Sequence, residues 1–115
     1  MPLTNKEVLK SITHDNDLIE EWSKSLEEYD YVGDEPELGI YTRYFDLREM
    51  PPRLKSGGIL TSIENGSIKF KIGYPNTRYW TIQEEFAALF QKVPYHRNIL
   101  RLAEKTIAEK IGNTE

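Results

Sequence analysis

The stretch Ile59-Leu60-Thr61-Ser62-Ile63-Glu64-Asn65-Gly66-Ser67-Ile68-Lys69-Phe70-Lys71-Ile72 decides the fold. Asn65-Gly66 tolerates the positive φ angles of a type I′ turn, whose twist matches that of the strands on either side, so a two-residue β-hairpin is predicted. Pairing Glu64 with Ser67 sets Ile63 opposite Ile68, Thr61 opposite Phe70 and Ile59 opposite Ile72. That register makes one face apolar and leaves Leu60, Ser62, Lys69 and Lys71 on the other.

Working outward, Gly73-Tyr74-Pro75-Asn76 is a turn, and Arg78 to Gln83 reads as a further strand, with Trp80 and Ile82 on one side and Tyr79 and Thr81 on the other. Upstream, Arg53 to Gly58 reads as a basic, glycine-ended loop. Before it, Gly39 to Leu47 alternates with period two: Tyr41, Arg43, Phe45 and Leu47 share one face, Ile40, Thr42, Tyr44 and Asp46 the other. Met50-Pro51-Pro52 ends that strand, because neither proline has an amide to donate. Glu84 to Lys92 fits two readings equally: a helix with Phe86, Leu89, Phe90 and Val93 on one face, or a single helical turn followed by a short strand over 89–92.

Both ends of the chain read as helical. Thr4-Asn5-Lys6-Glu7 has capping-box spacing, with Val8, Leu9 and Ile12 as the apolar stripe behind it. Asp15 or Asp17 caps a second helix in which Leu18, Ile19, Trp22, Leu26 and Tyr29 recur at three- and four-residue steps, and Glu20, Glu21, Lys24, Glu27 and Glu28 face away. Val32 to Glu37, with glycine and proline among carboxylates, is an expected exposed linker. A C-terminal helix over 94–112 is expected from Pro94, the stripe Ile99, Leu100, Ala103, Ile107 and Ile111, and the stop at Gly112.

Composition sets bounds on function. The chain of 115 residues, 38% hydrophobic and 30% charged, has the size and balance of one folded domain. It has no cysteine, which excludes disulfides, thiolate catalysis and cysteine metal sites. The N-terminal residues lack the apolar run of a signal peptide and no stretch is apolar enough to span a membrane, so an intracellular protein, or a virion component if the source is viral, is expected. The net charge of −4 is unevenly spread: residues 1–40 carry −8 and residues 41–115 carry +4.

Convergent chemistry is scarce. His14 and His96 lie near opposite ends of the chain, and neither has a fixed partner that would make it a catalytic base or metal ligand. Asp15 and Asp17 beside His14 lack the spacing of a calcium loop, so capping explains them and no metal is expected. Lys55-Ser56-Gly57-Gly58 resembles a phosphate loop only superficially, since its glycines run into a strand rather than a helix. Glu84-Glu85 are adjacent and do not face each other, which fits an acidic helix start. Cations interleaved with rings are the better signal: Arg43, Tyr44, Arg53, Lys55, Lys69, Lys71, Arg78 and Tyr79 are the candidate partner- or nucleic-acid-binding residues.

The segments 39–44, 54–60, 78–83 and 89–92 together resemble a compact SH3-like, or Tudor/KOW-like, barrel, and are similar to small proteins of large DNA viruses. The resemblance covers about residues 39–92 and implies a small barrel that binds a partner and does not catalyse. The expected fold is therefore α+β: a small curved antiparallel sheet or SH3-like barrel of three to five strands, flanked by two N-terminal helices and one C-terminal helix in a single domain. The expected function is a non-enzymatic protein-interaction or assembly subunit without cofactor, because the helix stripes outnumber what one small sheet covers and the charge poles suit docking or self-association. The alternative is a nucleic-acid-binding protein using the basic and aromatic face of the meander.

Overall fold

A computed structural model describes residues 3–33 and 35–94. The expected C-terminal helix lies outside the described residues. Two helices, α1 (Asn5–Ile12) and α2 (Asn16–Ser25), precede β1 (Tyr29–Val32), β2 (Tyr41–Asp46), β3 (Leu54–Glu64), β4 (Ser67–Ile72) and β5 (Arg78–Gln83). A single 3-10 turn, Glu84–Phe86, leads into β6 (Ala87–Lys92). The six strands form one antiparallel sheet in the order β1-β6-β2-β3-β4-β5. The fold is α+β, with more strands than expected.

The additional strand comes from the C-terminal end of the stretch read as helical. α1 keeps its capping box, Thr4 against Glu7, and Asp15 caps α2 as expected. However, α2 stops at Ser25, and Tyr29 belongs to a strand. Asn5 holds the chain in that reversal: its amide donates to the Leu26 and Tyr29 carbonyls (3.3 and 2.7 Å) and its carbonyl accepts from the Tyr31 amide at 2.7 Å. Tyr29-Asp30-Tyr31-Val32, with alternating rings, gains more as an edge partner of β6 than as a frayed helix end. Of the two readings of 84–92, the turn followed by a strand is the one found, with the strand beginning at Ala87.

The hairpin forms with Glu64 opposite Ser67 and Ile63 opposite Ile68, and Asn65 and Gly66 both at positive φ. Beyond that the register shifts. Ser62 faces Lys69 and Leu60 faces Phe70, so Thr61 is an extra residue in β3, its hydroxyl donating to the Lys69 carbonyl at 3.1 Å. This bulge exchanges the faces expected of Ile59 and Leu60. Leu60 is fully buried with Ile68 and Phe70, while Ile59 lies opposite Lys71 and is 36% exposed.

A second bulge corrects the reading of Arg53 to Gly58 as a loop, since all but Arg53 belong to β3. Thr42 pairs with Gly58 and Tyr44 with Lys55, which leaves one extra residue on β3. Gly57 sits there at φ +72°, and a Cβ on it would come within 1.8 Å of the Thr42 carbonyl oxygen. Only glycine fits. Each bulge adds twist, and together they bend β3 so that its first half pairs with β2 and its second with β4.

Bending produces two cores, one on each face of the sheet. On one face Phe45, Ala88 and Phe90 pack against Val8, Leu9, Ile19, Trp22 and Leu26, so α1 and α2 spend their apolar stripes on β2 and β6. On the other face Tyr44, Leu60, Ile68, Phe70 and Leu89 form a second buried cluster, edged by Trp80 and Ile82. No described helix joins that cluster, so the sheet covers it by curling on itself.

Candidate functional site

The expected site residues divide into structural and surface groups. Tyr44 is core: it is 7% exposed, stacks on Phe70 with ring centres 4.9 Å apart, and accepts a hydrogen bond from Trp80 Nε1 at 3.0 Å. Arg43 is half-buried and already engaged, its guanidinium donating to the Lys55 and Ser25 carbonyls at 3.3 Å each. It fastens the end of α2 to β3. Beside it, burial pushes the Tyr29 phenol above its ordinary value, with Tyr41 adding to the shift and Arg43 opposing it.

The remaining candidates lie where the helices do not reach. Cross-strand pairing aligns Tyr41, Ile59, Lys71 and Tyr79 in one row across β2 to β5, so their side chains share a face. Four strands at the usual spacing make that row about 14 Å wide. Tyr79 is 54% exposed, and two ammonium groups approach its ring: Lys69 Nζ at 4.9 Å and Lys71 Nζ at 5.8 Å from the centre. Both are within cation–π range. The lysines thus stand on the solvent face assigned to them by the hairpin pattern, although the bulge replaced Leu60 with Ile59 beside them.

On the opposite, concave face a cleft of about 300 Å³ opens between the start of β3 and the start of β5. Lys55, Arg78, Tyr79, Tyr44 and Trp80 line it, with Gly57 in its wall. The fold therefore brings Tyr44, Lys55, Arg78 and Tyr79 together, as the interleaving of rings and cations in the sequence suggested. Lys55 is neutralised by Glu49, 2.6 Å away. Arg53 is exposed just before β3 and does not line the cleft. Among the described residues, no carboxylate lies within ion-pair distance of Lys69, Lys71, Arg78 or Arg53.

Trp80 and the glycine wall were absent from the candidate residues. The sequence showed only two adjacent glycines and a tryptophan; in the fold Gly58 pairs with Thr42, and a Cβ there would lie 2.9 Å from the Trp80 ring. Gly58 thus makes room for the indole, while Gly57 admits the close approach of the Thr42 backbone. Among the described residues, no three His, Cys, Asp or Glu side chains gather as a metal would require, and His96 lies outside them. No helix of the described residues is long and apolar enough to cross a membrane. Comparison of the chain with protein-family models, curated proteins and solved structures finds no match.

Proposed function

We propose that this chain is a non-enzymatic interaction module, built on an SH3-like barrel, that docks a negatively charged partner on the face of β3 to β5 that α1 and α2 leave uncovered. The observation carrying this reading is the convergence of Lys69 and Lys71 on the exposed Tyr79 ring. Cations without carboxylate partners around an exposed ring favour an anionic ligand, and a surface of this kind on rigid strands needs no chemistry to be useful.

The barrel reading draws support from connectivity and curvature. β2 to β5 form a meander, a 3-10 turn follows, and β6 returns beside β2. The buried cluster of Tyr44, Leu60, Ile68 and Phe70 lies inside the curl. The α1 and α2 stripes, which motivated docking through the helices, are occupied by Phe45, Ala88 and Phe90. The docking surface is therefore better sought on the sheet.

Amide resonances of isotopically labelled protein, followed during titration with polyglutamate and separately with oligothymidylate, test this. Perturbations grouped on residues 55–60, 69–71 and 78–81 are expected with at least one polyanion. Perturbations confined to α2, or none with either, would overturn the reading.

A further inference from the structure

We infer that the anionic partner of the β3 to β5 surface is single-stranded nucleic acid, held by base stacking on Tyr79 and phosphate contacts to Lys69 and Lys71. The inference rests on the docking reading above and adds the chemical class of the ligand. Charge alone would suit an acidic peptide equally well. The rings favour a ligand with flat faces of its own.

Tyr79 lies on β5, at the sheet edge among the described strands, and is 54% exposed. An exposed tyrosine flanked by two ammonium groups offers a base a stacking surface, and offers the adjoining phosphates their counter-charges, within two neighbouring rows of one sheet face. A second exposed ring, the 85%-exposed Tyr74, stands in the turn joining β4 to β5. Glu64 is the one carboxylate between residues 54 and 83. It lies at the Asn65-Gly66 end, in the row of Ser67 and Gln83, two positions along β4 from Lys69 and four from Lys71. Lys71 and Tyr79, about 14 Å from that row at strand rise, are thus the end of the patch farther from its own strands' acid.

Stacking on this face requires bases whose faces are free, which a duplex does not offer. Single strands are therefore the ligand, and every base has a face to stack, so little sequence preference is expected. α2 packs its apolar side on β2 and β6, with Asp17, Glu20 and Glu21 exposed, so among the described residues the acidic helix does not cover the β4 to β5 surface.

Fluorescence anisotropy with labelled oligothymidylate and oligouridylate, a duplex of equal length and labelled polyglutamate tests the inference, each at about 50 and about 200 mM salt. Binding of either single strand, tighter than the duplex and polyglutamate and weakened by salt, is expected. Tyr79→Ala should weaken single-strand binding roughly ten-fold and Tyr79→Phe should restore it, because the ring and not the hydroxyl stacks. Lys69→Gln combined with Lys71→Gln should lower the salt slope by about 1.4 if each lysine neutralises one phosphate. These residues are on the solvent face, and unchanged thermal unfolding of each variant keeps loss of binding separate from loss of fold. Polyglutamate binding without single-strand binding would overturn the nucleic-acid inference and leave the docking reading standing. Equal binding of duplex and single strand, with Tyr79→Ala silent, would also overturn it. Failure of every probe would overturn both.

Discussion

Trp80 Nε1 donates a hydrogen bond to Tyr44 Oη at 3.0 Å, although β3 and β4 stand between their strands. In a flat sheet these strands would be about 14 Å apart, with side chains parallel to one another. The contact exists because the sheet curls, and Phe70 fills the space between, stacked on Tyr44 at 4.9 Å and on Trp80 at 5.5 Å. Tyr44→Phe keeps the stack and orphans the indole N–H, so a loss of about 1–2 kcal/mol is expected in urea unfolding. Tyr44→Ala removes the ring from a buried site and should cost about 3–5 kcal/mol. Equal effects of the two would mean that the hydrogen bond, and not the stack, holds the curl.

Gly57 and Gly66 both adopt positive φ, +72° and +78°, yet their surroundings differ. A Cβ on Gly66 meets nothing within 4 Å, whereas one on Gly57 would collide with the Thr42 carbonyl oxygen. Gly66→Ala should therefore cost only the left-handed backbone penalty, about 1–2 kcal/mol. Gly57→Ala adds a clash that only backbone displacement relieves, and should leave little folded protein. Circular dichroism and thermal unfolding of the two variants separate the penalties. Similar behaviour would show that the bulge at Gly57 yields easily.

What the sequence revealed and concealed follows from the range of the interactions concerned. Capping at Thr4 and Asp15 and the Asn65-Gly66 turn are settled within a few residues, and they formed as read. The exchange of Ile59 and Leu60 depends on a bulge at Thr61, to which alternation is blind because either register buries one apolar side chain. β1 was hidden because Leu26 and Tyr29 continue the α2 spacing, and only pairing with the distant β6 shows Tyr29 to be in a strand. The cations and rings of the cleft were legible as residue types. Their convergence depended on the curl of β3, and so on two bulges that no periodicity reports.

The Arg48 guanidinium is bound to Asp46 by two hydrogen bonds, at 3.1 and 2.9 Å, and holds its carboxyl below the ordinary carboxylate value. It also donates to Gln83 at 3.2 Å and lies over the Phe86 ring, tying the end of β2 to the turn before β6. A carboxyl with a depressed folded value stabilises the native state above the unfolded value, near pH 4, and loses that contribution as pH falls through the folded one. The pair is exposed enough that the effect is small. Asp46→Asn should flatten the acid side of the stability–pH profile below about pH 4 and leave its slope near pH 7 unchanged. An identical acid limb in the variant would show that the pair contributes nothing.

Gln91 is buried on β6 and satisfies three polar groups at once. Its amide nitrogen donates to the Glu37 carbonyl at 2.7 Å and to Thr42 Oγ1 at 3.1 Å, and its carbonyl accepts from the Glu37 amide at 2.9 Å. This side chain serves Glu37 as a ladder partner would, just ahead of the Gly39 and Ile40 backbone bonds to Leu60, and pins the acidic segment that leads into β2. Gln91→Leu has a similar volume but leaves both Glu37 backbone groups to find water, so the expected loss is about 2–3 kcal/mol in chemical unfolding. Exchange of the Glu37 amide with deuterium should accelerate together with its neighbours, ahead of any change in β3 or β4. Gln91→Glu keeps the acceptor for the Glu37 amide but sets a carboxylate against the Glu37 carbonyl, so it should be worse than leucine at neutral pH and recover as the carboxyl is protonated. If the glutamate variant were as stable as the wild type at pH 7, the connection would be held by something other than this side chain.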